Sequence, residues 1–317
     1  MEFPLHIRDK IEQLVQNEDI RQLEKAAFRL SENYRREDHI SASDKTELLA
    51  YSAVRMPATF GAVSRALELA LPISEELVGG ICSVLDAGAG TGAAAIAAGI
   101  MVGCTDIICL ERDRNMLELG KLFAENAQWT ERDITNGIGE KADLVICSYC
   151  LNELPETRRK TVTAELAKAA NKLLLIVEPG TPKSFKELKK TREELISAGM
   201  KIVAPCPANT PCPLSENDWC HFTARIARSK LHKRLKGAEV PYEDEKFCFL
   251  AAAWTDRERA EKTSRIIRRP IIEAGKITLK LCTEDGISDK IVTRSSPLFK
   301  KARKSETGDG FTVDSKQ

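Results

Sequence analysis

The most constraining feature of the sequence is a glycine-rich turn between an apolar run and an alanine-rich run. Residues 81–85 are mostly apolar and lead into Asp86, residues 88–92 contain three glycines, and the alanine-rich residues 93–100 follow at once. Glycine lets the backbone approach a ligand closely, because it has no Cβ. Strand, tight turn and helix in this order predict the first βα unit of a doubly wound nucleotide-binding sheet.

Apolar runs alternate with helical patterns beyond this turn, as in a parallel α/β sheet. The predicted strands are residues 81–85, residues 106–110, a short run before Asp133, residues 142–147 and residues 172–177. Glu111 follows the second strand, about twenty residues beyond the glycines, where an acid can accept hydrogen bonds from a ribose diol. Residues 148–154 follow the fourth strand and are expected to face the second substrate.

The chain divides into four expected regions. A helical cap precedes the sheet core, which is followed by a region rich in cysteine and basic residues and by a polar, basic tail expected to be disordered. These regions span residues 1–75, 76–200, 201–300 and 301–317. In the first region, Asp44 with Glu47 three residues later predicts a capped helix start. Arg55 is interpreted as part of the cap, with substrate contact as the alternative.

The composition indicates a globular protein without membrane spans. Hydrophobic residues make up 43% of the 317 residues and charged residues 30%. No apolar run approaches the roughly 20 residues that a membrane-spanning helix needs. The first ten residues lack the features of a signal or transit peptide, so a cytoplasmic location is expected. The net charge of +1 does not indicate a nucleic-acid partner, so any basic surface must be local.

Three of the ten cysteines lie in or just after a proline-rich segment. Residues 204–214 contain four prolines, which exclude a helix or a central strand and predict a fixed loop. Reduced cytosolic thiols do not form a disulfide framework, so clustered cysteines are tested first as metal ligands. Cys206, Cys212 and Cys220 are therefore expected to converge on a metal centre.

A fourth ligand is missing from this loop, and three residues compete for the position. His221 directly follows Cys220, and adjacent residues rarely bind the same ion comfortably. Cys248 lies in an apolar run that predicts a buried strand, where a thiol packs in the core. Cys282 ends a predicted strand just before a turn, where a thiolate can project, so it is the predicted ligand. Four thiolates suit tetrahedral zinc or an iron–sulfur cluster, and their spacing does not separate the two.

Two cofactors compete for the glycine turn. The turn satisfies the permissive G-x-G-x-x-A form of the dinucleotide fingerprint. The additional glycine and the preceding acid instead resemble motif I of the class I S-adenosylmethionine (SAM) methyltransferases. This resemblance covers about residues 81–180 and implies an α/β, Rossmann-like SAM-binding sheet, with Glu111 as the matching acid and Asp133 at the adenine amine. The predicted cofactor-binding residues are Asp86, Gly88, Ala89, Gly90, Gly92, Glu111, Asp133 and Cys147.

A wider resemblance rests on motifs spread over the chain up to about residue 296. They are residues 55–59 (RMPAT), 151–154 (LNEL), the two cysteines flanked by prolines, 219–222 (WCHF), 241–247 (PYEDEKF) and 281–283 (LCT). Together with the SAM motif, they resemble the methyltransferase-like family associated with the small ribosomal subunit. Eukaryotic members of that family act in mitochondrial ribosome assembly. The matching cysteines of the family hold a [4Fe-4S] cluster, which implies the ligands Cys206, Cys212, Cys220 and Cys282, with zinc as the alternative.

The resemblance implies a SAM-dependent methyltransferase-like protein that acts on the small ribosomal subunit or its rRNA. Because the family includes members thought to have lost methylation, the alternative is a non-catalytic assembly factor that binds SAM, cluster and rRNA. A small-molecule methyltransferase is a third hypothesis. No catalytic residue is assigned: Asn152 is the single acceptor-side candidate, and residues 148–154 lack the Asp/Asn-Pro-Pro-aromatic signature of amino-group methylation.

A basic segment, residues 225–236, contains lysine, arginine and histidine but no acid. On a helix it would present most of its charge on one broad face, which predicts contact with the phosphate backbone of RNA. Arg265, Arg268, Arg269 and the basic tail strengthen this interpretation.

Overall fold

An eight-stranded sheet forms the centre of the protein. The computed structural model describes residues 2–36, 44–259 and 263–312. The strand order is β3-β2-β1-β4-β5-β8-β6, and β7 pairs with β8 outside this path. The strands are β1 (Ser83–Ala87), β2 (Asp106–Glu111), β3 (Gln128–Glu131), β4 (Ala142–Ser148), β5 (Ala170–Pro179), β6 (Lys201–Ala204), β7 (Phe222–Ala227) and β8 (Tyr242–Ala253).

The first five strands are parallel and confirm the expected α/β class. β1 pairs with β2 and β4, β2 pairs with β3, and β4 pairs with β5. Their carboxyl ends therefore lie at one edge of the sheet, which is where open α/β sheets bind ligands. The interior of β5 is buried on both faces, as expected for a strand that helices cover from both sides.

The remaining strands are antiparallel and extend the sheet past the expected boundary. β8 lies between β5 and β6, is antiparallel to both, and also pairs with β7. The predicted sheet core ends at residue 200, but β6, β7 and β8 all belong to this sheet. That boundary was wrong because residues 247–253 are buried on both faces, which is the pattern of a central strand.

Helices cover both faces of the sheet. In chain order they are α1 (Leu5–Val15), α2 (Ile20–Arg36), α3 (Lys45–Val54), α4 (Met56–Val78), α5 (Ala93–Val102), α6 (Arg114–Phe123), α7 (Glu156–Ala169), α8 (Pro182–Ser197), α9 (Lys230–Leu235) and α10 (Phe299–Lys304). α4 and α5 pack on one face, together with α1 to α3, and α7 and α8 pack on the other. The predicted start of α3 is confirmed, because Asp44 Oδ1 accepts a hydrogen bond from the Glu47 N–H at 2.8 Å. Within the described ranges, no helix combines the length and apolarity needed to cross a membrane.

A second sheet of five strands follows the first. Its order is β10-β11-β9-β13, with β12 paired to β11. The strands are β9 (Ser264–Ile266), β10 (Ile271–Glu273), β11 (Lys276–Thr283), β12 (Gly286–Thr293) and β13 (Gly310–Phe311). A separate small core, which includes Ile266, Leu279 and Phe311, holds this sheet together. β11 contains Cys282 near its end, so the fourth predicted metal ligand belongs to the second sheet.

The disordered tail expected over residues 301–317 is corrected by the structure. Ala302 of α10 and Phe311 of β13 are fully buried in the core of the second sheet. The prediction failed because the composition of this region is dominated by charged and polar residues, although Ala302 and Phe311 are apolar and pack in a core. Residues 313–317 lie outside the described residues.

Candidate functional site

The glycine turn connects β1 to α5 and forms one wall of a cavity at the carboxyl edge of the sheet. Gly88 and Gly92 have φ values of 78° and 84°, a region that favours glycine. The N–H groups of Gly88 and Ala89 both donate to the carbonyl oxygen of Leu110 at 2.9 Å. These bonds fix the turn to the end of β2.

Glu111 holds the same turn from the neighbouring strand. Its Oε2 accepts a hydrogen bond from the Gly90 N–H at 2.7 Å, and its Oε1 accepts one from the Asp113 N–H at 2.8 Å. The side chain is buried and lines the cavity. Each carboxylate oxygen can accept a second hydrogen bond. Glu111 can therefore accept the hydroxyl groups of a ribose while it fixes the turn.

Asp133 lines the same cavity from the loop after β3. Its Oδ1 accepts a hydrogen bond from the Thr135 N–H at 2.9 Å and so caps a short 3-10 turn. The structure thus brings together five of the predicted cofactor-binding residues around one cavity, namely Gly88, Ala89, Gly90, Glu111 and Asp133.

Asp86 lies beneath the turn and does not line the cavity. Its Oδ2 accepts a hydrogen bond from the Ala95 N–H at 2.9 Å, whereas its buried Oδ1 has no hydrogen-bond partner within the described residues. Burial raises the pKa of Asp86 to about 7, although the bond from Ala95 opposes the shift. Asp86 therefore anchors the first turn of α5, which begins directly after Gly92.

The prediction that Cys147 contacts the cofactor is corrected. Its side chain is fully buried in the core between the sheet and α7, beside Val162 and Leu166. Successive residues of a strand face opposite sides, so the next residue, Ser148, lines the cavity instead. The interaction with Cys150 and burial raise the pKa of the Cys147 thiol well above its usual value.

The predicted acceptor segment closes the cavity on the side of β4. Tyr149 has a positive φ of 54°, which is uncommon for a residue with a side chain and often marks a functional site. Asn152 also lines the cavity, and its Oδ1 is buried without a hydrogen-bond partner in the part of the chain that the structure describes. An unpaired acceptor at this position can bind an N–H or O–H group of a ligand.

Glu178 supports this segment and was missed by the sequence analysis. Its carboxylate accepts hydrogen bonds from the N–H of Leu151 at 3.0 Å and the N–H of Asn152 at 3.3 Å. Burial raises the pKa of Glu178 to about 8. One feature of the sequence did point to Glu178. It ends an apolar strand, where burying a carboxylate is costly unless the carboxylate has a hydrogen-bond or ionic partner.

Arg55 connects the helical cap to the cavity. It is 4% exposed, lines the cavity, and forms two hydrogen bonds of 3.2 Å and 3.3 Å with the carboxylate of Glu245. The Tyr149 hydroxyl donates to the same carboxylate at 3.0 Å. Glu245 was not predicted, because its partners lie far away in the sequence. These three side chains join the α3–α4 junction, the residue after β4, and β8.

A second cavity gathers all four predicted metal ligands. Cys206, Cys212 and Cys220 reach it from the loop between β6 and β7, and Cys282 reaches it from β11. Cys248 lines it as well, from β8, but donates a hydrogen bond to the carbonyl oxygen of Pro179 at 3.2 Å. As placed, no three His, Cys, Asp or Glu side chains of the described ranges form a group that could hold a metal ion.

The predicted basic RNA-binding helix is corrected. Residues 222–227 form β7, with alternate residues buried, and only residues 230–235 are helical. Most of the charges are paired: Arg225 binds Asp244 at 2.7 Å, Arg234 binds Glu24 at 3.3 Å, and Arg228, His232 and Lys236 all contact Glu243. The segment therefore does not present one unpaired basic face.

The sheet order and the position of the first cavity define an α/β protein with a Rossmann-like fold. Solved structures with a similar fold include magnesium protoporphyrin IX methyltransferase from Synechocystis PCC 6803 and a TehB-like SAM-dependent methyltransferase from Corynebacterium glutamicum. The first is 15% identical, covers 71% of this chain and 94% of its own, and has a TM-score of 0.43. The second is 15% identical, covers 75% of this chain and 100% of its own, and has a TM-score of 0.40.

Residues 45–312 match the family model described as mitochondrial small ribosomal subunit Rsm22, and the chain belongs to this family. The resemblance inferred from its motifs is thereby confirmed. A curated relative is the human mitochondrial ribosome assembly protein METTL17, which is 25% identical over 294 residues. That alignment covers 84% of this chain and 62% of the human protein. The chain therefore spans less than two thirds of this relative.

Proposed function

We propose that the chain is a SAM-binding factor of the small ribosomal subunit that uses the first cavity for the cofactor. The observation that carries this proposal is the convergence of the glycine turn, Glu111 and Asp133 on one cavity at the carboxyl edge of the parallel strands. The glycine backbone admits the cofactor, Glu111 accepts the ribose hydroxyls, and Asp133 accepts the adenine amine. Asp86 and Gly92 hold the start of α5 in place for this contact.

Methyl transfer is the activity that this cavity supports best. Bound SAM supplies an electrophilic methyl group, so the protein mainly has to orient the acceptor in line with it. Tyr149 and Asn152 line the same cavity as the proposed cofactor-binding residues, and the unpaired Oδ1 of Asn152 can hold an acceptor N–H or O–H. Glu178 keeps Asn152 in position through the backbone. A base is required only where the acceptor must lose a proton.

We propose further that the second cavity holds a [4Fe-4S] cluster through Cys206, Cys212, Cys220 and Cys282. Four thiols around one cavity are the donor set that such a cluster needs. Anaerobically purified protein is expected to be brown and to contain about four iron and about four sulfide per chain. One zinc per chain in colourless protein would replace the cluster with a zinc site.

The small ribosomal subunit is the proposed partner, and its rRNA is the proposed substrate. Membership of the family supports the subunit, and the human relative carries ribosome assembly in its name. The alternative function is an assembly factor that binds SAM, cluster and rRNA without methyl transfer. The human relative is named as mitochondrial, whereas for this chain we propose a cytoplasmic location, which cell fractionation tests directly.

Two measurements test these proposals. Calorimetry with SAM tests the cavity, and absence of binding by folded protein would refute the cofactor assignment. Tritiated-methyl transfer from SAM to purified small-subunit particles tests the activity. Incorporation into rRNA supports the enzyme, whereas tight particle binding without incorporation supports the assembly factor. An Asn152→Ala variant that binds SAM normally but transfers methyl more slowly would place Asn152 on the acceptor side.

A further inference from the structure

Three arginines surround the loop that carries Cys206. Arg192 lies on α8, Arg259 lies after β8, and Arg265 lies on β9. All three donate to main-chain carbonyl groups of the loop or its flanks. Arg192 donates to the carbonyl oxygens of Ala208 at 2.9 Å and Thr210 at 2.7 Å. Arg259 donates to those of Ile202 at 2.8 Å, Val203 at 2.6 Å and Cys206 at 2.9 Å. Arg265 donates to that of Pro205 at 2.9 Å.

Two of these arginines bring positive charge into the interior beside the cysteine loop. Arg192 and Arg265 are each 4% exposed. Arg265 donates to the main-chain carbonyl groups of Pro205 and Gly308, and Arg192 pairs with Glu193, whose side chain is 49% exposed. A buried charge is costly unless an opposite charge accompanies it. An anionic group in the second cavity would supply such an opposite charge for Arg192 and Arg265, which both line it.

The two buried arginines face the second cavity, which the cysteines line. Arg192 and Arg265 line this cavity together with Cys206, Cys220 and Cys282. The Nε of Arg192 is buried and has no hydrogen-bond partner in the described chain, and Arg192 and Cys206 line the same cavity. Four thiolates around a metal centre carry a net negative charge, because zinc or a [4Fe-4S] core does not neutralise all of them.

We propose that Arg192, Arg259 and Arg265 form an arginine cage that supplies the counter-charge of the metal centre in the second cavity. This inference rests on the proposed four-cysteine site. The cage acts in two ways: it fixes the carbonyl groups of the cysteine loop, and it stabilises the anionic centre electrostatically. The three arginines are positioning residues, since they act through the loop and the thiolates rather than as ligands.

The test compares arginine variants in anaerobically reconstituted full-length protein. Arg192→Met and Arg265→Met keep an unbranched apolar stem but remove the charged guanidinium. We expect iron to be lost to a chelator about tenfold faster, which corresponds to about 1.4 kcal/mol of lost stabilisation. The reduction potential of the cluster is expected to become more negative, because the arginines favour the more negative reduced form. Arg192→Lys is expected to restore much of the potential but less of the retention, because lysine lacks the planar fork.

Arg65→Met is the matched control. Arg65 contacts Asp309, next to the Gly308 carbonyl that Arg265 holds, but it is paired with carboxylates and does not line the cavity. SAM binding at the first cavity reports that each variant is folded. Unchanged chelation rate and potential in folded Arg192→Met would overturn the cage, even if Arg265→Met failed to fold. Wild-type protein without iron or zinc would instead refute the four-cysteine site itself.

Discussion

The thiol of Cys248 donates a hydrogen bond of 3.2 Å to the carbonyl oxygen of Pro179, and this bond lies between the two cavities. Cys248 lines the second cavity, which the four cysteines line, whereas Pro179 lines the first cavity beside the glycine turn. The two residues belong to β8 and β5, which pair over residues 247–253 and 173–179. The cavities therefore share one antiparallel ladder as their common wall.

The hydrogen bond of Cys248 predicts which cysteines bind metal. Cys248→Ser should retain the metal, because Cys248 is 1% exposed and already bonded to Pro179. Cys282→Ser should lose most of it, because Cys282 has no such bond among the described residues. Iron and sulfide analysis of both variants is the measurement. If Cys248→Ser lost the metal and Cys282→Ser retained it, Cys248 would be the ligand and Cys282 would not.

Glu111 is predicted to control cofactor affinity. Glu111→Gln should weaken SAM binding about tenfold or more, because hydrogen bonds to a charged group contribute about 1.5–3 kcal/mol. Isothermal titration calorimetry measures the effect. Glu131 is the matched control: it lies opposite Glu111 on β3 but is exposed and does not line the cavity. Equal affinity losses in Glu111→Gln and Glu131→Gln would contradict the assignment.

Asp86 is predicted to make the folded protein less stable as the pH rises. Its ordinary pKa is 3.8, and burial raises it to about 7 in the folded protein. Between these values the unfolded chain has lost the proton while the folded protein keeps it, so the free energy of unfolding falls as pH increases. The loss is about 1.4 kcal/mol for each pKa unit and is complete above pH 7.

Asp86→Asn should therefore lose less stability between pH 4 and pH 8 than the wild type does. Urea unfolding across this range measures the difference. Asp106→Asn serves as a control, because Asp106 is exposed at the start of β2. Identical pH profiles for wild type and Asp86→Asn would show that the buried carboxyl keeps an ordinary pKa.

The ion pair between Arg55 and Glu245 is predicted to be required for stability. Both side chains are 5% exposed, so Glu245→Gln removes the buried carboxylate that accepts two hydrogen bonds from the Arg55 guanidinium. The expected loss is about 3 kcal/mol in the free energy of unfolding. Asp244→Asn on the same strand should cost about 1 kcal/mol or less, because its pair with Arg225 is exposed. Similar losses in the two variants would contradict this prediction.

The sequence predicted the parts of the fold that depend on local pattern. The glycine turn, the five parallel strands and the cap at Asp44 each follow from residues within a few positions of one another. Cys282 was predicted as the fourth ligand from its place at the end of a strand, and the family resemblance implied the same four cysteines. Its place in the same cavity depends on how the second sheet packs against the first.

Long-range pairing explains what the sequence did not predict. The place of β8 between β5 and β6 and the contact of Glu245 with Arg55 join residues far apart in the chain. The error at residues 225–236 has a different cause. Phe222, Ala224 and Ile226 are buried at alternate positions, which is the pattern of a strand. The basic residues of the segment instead suggested a helix with one charged face.

The position of β9 to β13 has a consequence for protein synthesis. The ribosome releases Cys206, Cys212 and Cys220 well before Arg265 and Cys282, since the chain emerges from its amino end. Each new chain therefore passes through a period in which three thiols are present without their fourth partner or their full set of cations. The proposed four-cysteine centre can therefore acquire its fourth thiol only after all strands of the first sheet have been synthesised.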